Sequence, residues 1–114
     1  MRELTVGKNL TAGSSNTVYT VPKGCKAIAT LLMLSNSGGS SKSITASWYD
    51  HSTTTSVTIV GGKSVGAGEY LMFDQGRMVM DEYDELRVTP EASSSFSVIF
   101  TVEIHQNISY QNGS

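Results

Sequence analysis

Between residues 96 and 104 apolar side chains recur at every second position. Phe96, Val98, Phe100, Val102 and Ile104 share one side of an extended chain; Ser97, Thr101, Glu103 and His105 share the other, with Ile99 out of pattern. Successive strand side chains point to opposite faces, so this spacing predicts a long strand with one buried face and one wetter face. Residues 86–89 predict a strand just before it. The Pro-Glu-Ala-Ser-Ser-Ser connection at 90–95 makes residues 84–104 the expected closing hairpin.

Short runs of the same kind fill the rest of the chain. Residues 3–8 form a weak first run, and 17–21 a second, stopped by Pro22, which has no N–H for a ladder. Residues 26–35 are apolar on both sides, as expected of a central strand covered on both faces. Residues 43–51 alternate again, with Ile44, Ala46 and Trp48 opposite Thr45, Ser47 and Tyr49. Residues 55–60 run into Gly61-Gly62-Lys63, a tight-turn signature. Residues 69–73 and 77–80 complete the set. No window carries apolar residues at helical spacing behind a capping residue. The expected fold is all-β: a single antiparallel β-sandwich, jelly-roll-like, of about eight short strands. One domain is expected over 1–114, with an N-terminal arm over about 1–10 and a polar tail over about 106–114.

Charge and cysteine content narrow the function classes. The chain of 114 residues has a net charge of -2, and its eight Lys and Arg are scattered, with no stripe for nucleic-acid phosphates. The longest apolar run, 27–34, is far short of a membrane span, and no apolar signal segment follows Met1. Folding in a cytoplasm is therefore expected. Cys25 stands alone, which excludes an intrachain disulfide and a multi-cysteine zinc site. Without a staple, so small a domain relies on its core or on partner subunits.

Candidate chemistry is sparse. Asp50 and His51 are strand neighbours and point apart, which suits neither a triad nor a dyad with the distant His105. Cys25 reads as a buried structural thiol. Asp81, Glu82, Asp84 and Glu85 could contribute oxygens to a calcium ion, but they lack the spacing and glycine of an EF-hand loop and fit a solvated turn better. The Gly-rich turns lack the strand-to-helix setting of a phosphate loop. No catalytic residue, cofactor or metal site is expected, and the chain is not expected to be an enzyme. Trp48 belongs with the core, whereas Tyr49 is the better surface aromatic.

Several segments read together. Val18-Tyr19-Thr20-Val21-Pro22-Lys23-Gly24, Leu34-Ser35-Asn36, Trp48-Tyr49-Asp50, Gly68-Glu69-Tyr70-Leu71 and Asp84-Glu85-Leu86-Arg87-Val88 follow one another. This order resembles small virion proteins of tailed bacteriophages over residues 17–104. The last motif, Tyr83-Asp84-Glu85-Leu86, departs from the family in lacking its common glycine. The resemblance implies a non-enzymatic virion component assembled in a bacterial cytoplasm. Most directly it implies a capsid decoration or cement protein that forms a homo-oligomer and binds the major capsid protein. A tail or fibre-attachment component is the nearest alternative. Candidate partner contacts are Leu4 and Val6 in the arm, Tyr49 and Tyr70 on strands, and Ile108 and Tyr110 in the tail. A carbohydrate-binding module stacking a glycan on Tyr49 and Tyr70 is the alternative of another class.

Overall fold

A computed structural model describes residues 2–106. The strands, in chain order, are β1 (Arg2–Asn9), β2 (Asn16–Thr20), β3 (Cys25–Asn36), β4 (Lys42–Asp50), β5 (Thr55–Val65), β6 (Tyr70–Phe73), β7 (Met78–Met80), β8 (Glu85–Pro90) and β9 (Phe96–Gln106). They form two antiparallel sheets. Sheet I runs β1-β9-β3-β6, with β7 also paired to β3; sheet II runs β2-β8-β4-β5. β6 and β7 flank one interruption in a single edge position, since both pair with β3, at Leu32–Ser35 and Ala27–Ala29 respectively. Counted so, there are eight strand positions, and the chain changes sheet at every step except β4 to β5, in jelly-roll order.

The core lies between the sheets and follows the predicted alternation. Phe96, Val98, Phe100 and Val102 of β9 are buried, facing Ile44 and Ala46 of β4 and Leu86 and Val88 of β8. Burying a side chain of this size stabilises by about 1.5–3 kcal/mol. Ile99, the residue out of pattern, is exposed on the other face.

Three expectations change. β8 and β9 do not form a hairpin: β8 pairs with β2 and β4, and β9 with β1 and β3, so residues 91–95 cross between sheets. Both strands bury one face, and a crossing lets those faces meet, whereas a hairpin would place them side by side. Residues 26–35 are not covered on both faces. Register slips between Ala29 and Leu31, so Ala27 and Ala29 face inward before this bulge and Leu32 and Leu34 after it. Gly61-Gly62 is not a turn, because β5 continues through it to Val65. A register shift absorbs the pair, and Gly62 takes φ 60.

Buried polar side chains tie the loops to the sandwich ends. Asn36 donates from Nδ2 to the carbonyls of Ser40 and Val65, each at 2.9 Å, and its Oδ1 accepts from Gly38 N at 2.9 Å. At the same end Asn16 accepts from Thr11 N at 3.0 Å and donates to Ser14 O at 2.9 Å. At the opposite end Asp84 does the equivalent work. The turn before it places Tyr83 at φ 67, in the left-handed region that glycine favours.

Asn36→Ala orphans the buried Val65 carbonyl and leaves the Ser40 carbonyl and the Gly38 amide, both bonded in part-buried positions, without their partner. The expected cost is about 2–3 kcal/mol in urea unfolding, because an unsatisfied buried group loses its full solvation. A second expectation concerns acid. Glu91 accepts from Ser43 N at 2.9 Å and lies 3.7 Å from Lys42 Nζ. The Ser43 amide first, and Lys42 after it, hold its carboxyl below the ordinary 4.5. A depressed folded-state pKa adds stability above the unfolded value, and that stability is lost as pH falls through the folded one. The melting temperature of Glu91→Gln should therefore fall less steeply than that of the parent below pH 4.5.

Candidate assembly surface

The two outer faces of the sandwich differ in chemistry. Residues opposite one another in an antiparallel pair share a face. On sheet II the outer rows are Thr17–Arg87–Ser47–Thr58, Glu85–Tyr49–Ser56 and Thr89–Thr45. These paired positions carry hydroxyls, one ion pair and one tyrosine; the exposed aliphatic side chains of sheet II, Val57 and Ile59, belong to its edge strand β5. Threonine and serine suit the paired positions because a strand tolerates them where water meets the pleat.

Sheet I is divided. Its β1 side is polar, with Glu3, Thr5 and Gly7 beside Glu103, Thr101 and Ile99. Its β3 side is apolar: Ile99–Met33–Met72 form one row, Leu31 the next, and Ile28–Val79 the third. Tyr70 stands at the end of this strip opposite Ser35. Tyr70 is 59% exposed, Val79 53% and Met72 47%. Arg77 reaches across β3 to Glu103, Nη2 to Oε1 at 3.3 Å, and closes the strip on one flank. At strand spacings of ~4.8 Å and ~3.3 Å per residue the strip covers roughly 300 Å². That matches the lower end of the largest apolar patch on an ordinary monomer, a patch that is often functional.

The expected contact residues do not gather at one place. Leu4 and Val6 belong to β1, which pairs with β9 over its whole length, and both are half-buried against the core. Tyr70 lies on the strip. Tyr49 lies on sheet II, so it and Tyr70 are on different sheets and cannot form one stacking row for a glycan. Ile108 and Tyr110 lie outside the described residues. Sequence reading missed Ile28, Leu31, Met33, Met72 and Val79. The signal in the sequence is the two-sided apolar character of residues 26–35, which equally fits a strand covered on both faces.

A second cluster caps the opposite sheet. Arg87 lies 3.8 Å over the Tyr49 ring and is held by Glu85, Nε to Oε1 at 2.7 Å. His51 meets Tyr49 and Tyr83 edge-on at centroid distances of 6.4 and 5.3 Å. The near-perpendicular rings and the guanidinium cap leave no flat platform for a sugar ring. Beneath them Asp84, buried, accepts from Trp48 Nε1 at 3.1 Å, His51 N at 3.0 Å and Asp81 N at 2.9 Å. Glu82 caps Gly24 N at 2.6 Å and Glu85 faces Arg87, so three of the four clustered carboxylates, Asp84 included, point to separate partners. Among the described residues no three metal-capable side chains converge.

No protein-family model and no curated protein matches this sequence. Solved structures do. The chain is similar to a subunit of Bacillus endospore appendages, described as disulfide-linked pili, with a TM-score of 0.55 and 13% identity over 92% of this chain and 85% of that one. It is also similar to a chain of the T13 IBDV viral particle, with a TM-score of 0.55 and 11% identity. That match covers 96% of this chain and 32% of the viral one, so this chain spans about a third of the viral chain's length. The likeness is one of fold. No tailed-phage family is shown by these matches.

Asp84→Ala leaves three donors without an acceptor and should cost about 3 kcal/mol or more. Trp48 is the chain's one tryptophan, so its emission should shift to the red in the folded variant as water reaches the freed indole N–H.

Proposed function

We propose that this chain is a structural subunit of an assembled particle. In its narrower form, it is a virion protein of a tailed bacteriophage that sits on the capsid exterior, makes a homo-oligomer there and braces neighbouring shell subunits. Its role is mechanical, not catalytic. The observation that carries the reading is the contrast between faces. Sheet I presents Ile28, Leu31, Met33, Met72, Val79 and Ile99 outward, while sheet II presents hydroxyls. A stable interface needs about 800 Å² per partner. The strip supplies the apolar centre of such a contact, and Tyr70, Glu3, Glu103 and Lys26 supply a polar rim. The pilus subunit and the viral particle chain support the reading by placing similar folds in assembled structures. The segment order from residue 17 to 104 supports the phage form.

The test is cosedimentation with heads of the phage whose genome carries the chain. Met33→Glu combined with Val79→Lys should lower binding at least about tenfold, or about 1.4 kcal/mol, with an unchanged thermal melt. Thr58→Glu on the hydroxyl face should bind as the parent does. Parent-like binding by the double variant would remove sheet I from the contact.

A further inference from the structure

The sandwich has four sheet edges, and three of them are blunted. β1 carries Arg2, Glu3 and Lys8, and it lies beside β2, with Lys8 Nζ donating to the Thr17 carbonyl at 3.4 Å. β2 is five residues long, with a register shift between Thr17 and Tyr19. β6 and β7 are four and three residues long. Charge, bulges and shortness are the usual means of keeping an edge from pairing with another chain. β5 is less protected. It runs eleven residues, pairs with β4 alone among the described residues, and holds no charge and no proline from 55 to 62. Its register irregularities fall at Ile59 and Gly61-Gly62, which leaves residues 55–58 as regular strand.

The sandwich is also open along β5. Val57 stands opposite Trp48, on the side that faces the core, yet it is 47% exposed. Ile59, 39% exposed, and Phe73 of β6 line a groove of about 200 Å³ between the two sheets. Core-side apolar residues exposed to this degree mark a margin that the described strands leave uncovered. An uncharged edge beside an uncovered apolar margin suits the addition of another strand.

We propose that β5 pairs antiparallel with β5 of a second copy across a two-fold axis at Val57, joining the two copies of sheet II into one sheet. An antiparallel edge presents the same order of donors and acceptors from either copy, so it complements itself, as an isologous contact requires. The absence of charge in residues 55–62 removes a repulsion that two copies of β1 would meet. Pairing of β1 centred on Thr5 sets Arg2 against Lys8. Directly opposite side chains share a face, so the axis passes through a residue and not between two. Val57 is the centre that engages the longest stretch, residues 55–59, without Thr54 in its turn at φ 50 or the Gly61-Gly62 pair, where φ is 60. Val57 then meets the second copy's Val57, and Ile59 meets its Thr55, on the core-facing side. Ser56 meets Thr58 on the outer side, where a glutamate at 58 faces a hydroxyl and not a like charge.

The axis stands at right angles to sheet II, so both copies keep sheet I on the same side. β6 and β7 then approach their counterparts, and the two apolar strips lie side by side. Two strips of roughly 300 Å² give an apolar surface of roughly 600 Å². One strip falls well short of the ~800 Å² per partner of a stable interface, and two approach it. This last step rests on the assembly reading; the β5 pairing does not.

Sedimentation equilibrium and disulfide trapping of the full chain test the pairing. The parent should sediment as a dimer, or a multiple of it, of a 12.2 kDa chain. Val57→Lys sets like charges directly opposite one another and should raise the dimer Kd at least about tenfold, with circular dichroism unchanged. Val57→Cys, in a Cys25→Ser background, places its Cβ about 4.5–5.5 Å from that of the second copy, within reach of a disulfide. Mild oxidation should give covalent dimer at least about tenfold faster than in a Thr5→Cys control on the β1 edge, the factor that one decade in encounter equilibrium supplies. A monomeric parent, an oligomer that Val57→Lys leaves intact, or trapping no faster than at Thr5 overturns the β5 pairing. The assembly reading stands or falls separately, on whether Met33→Glu with Val79→Lys loses binding to phage heads. A parent that dimerises through Val57 but does not bind heads supports the pairing and overturns that reading.

Discussion

A strand can bury only every second side chain, and β9 follows this rule over eleven residues while hydrogen-bonding β1 on one side and β3 on the other. Its inward row of Phe96, Val98, Phe100 and Val102 dictates the inward rows of both neighbours: Val6 and Leu32 flank Phe100, and Leu4 and Ala29 flank Val102. The opposite sheet is held by the same demand, because these side chains leave water only against Ile44, Ala46, Leu86 and Val88. The crossing from β8 to β9 follows. Each strand has one apolar face, and two apolar faces bury each other only when they belong to different sheets.

Hydrogen bonds then settle what the core leaves open. Asn16, Asn36 and Asp84 are buried at the ends of the sandwich and bind backbone groups of loops that have few apolar anchors. Each works because a buried polar atom without a partner is costly, so the loop conformation that satisfies it is strongly preferred. Asp84 ties its own turn, through Asp81, to the distant end of β4, through Trp48 and His51. Tyr83 is held in a left-handed conformation within the same network, with its N–H donated to the Val21 carbonyl at 2.9 Å.

The bulge at Thr30 links this architecture to its outer surface. By shifting β3 one position it moves Leu31 and Met33 outward while Leu32 and Leu34 turn in. A run that would be a doubly covered strand elsewhere becomes here the centre of an apolar outer strip. The edge strand breaks beside the bulge, where β6 gives way to β7. One local irregularity therefore accompanies the strip, which faces away from the hydroxyl-covered sheet.

Much of the fold was legible in the chain itself. The alternation in residues 43–51 and 96–104 determined which side chains face the core, because the two-residue period is a local property of extended backbone. Pro22 and the Gly- and Ser-rich segment at 37–41 marked where strands end, whereas Gly61-Gly62 lies inside β5. The candidate surface was less legible. Tyr70 was found, but Met33, Met72 and Val79 come from three strands and share a face only through register. Tyr49 and Tyr70, paired on paper, lie on opposite sheets. Which sheet a strand joins, where β3 slips, and which apolar residues stay outside were decided by tertiary structure alone. Those outcomes depend on contacts between residues far apart in sequence, and a local period carries no information about its partner.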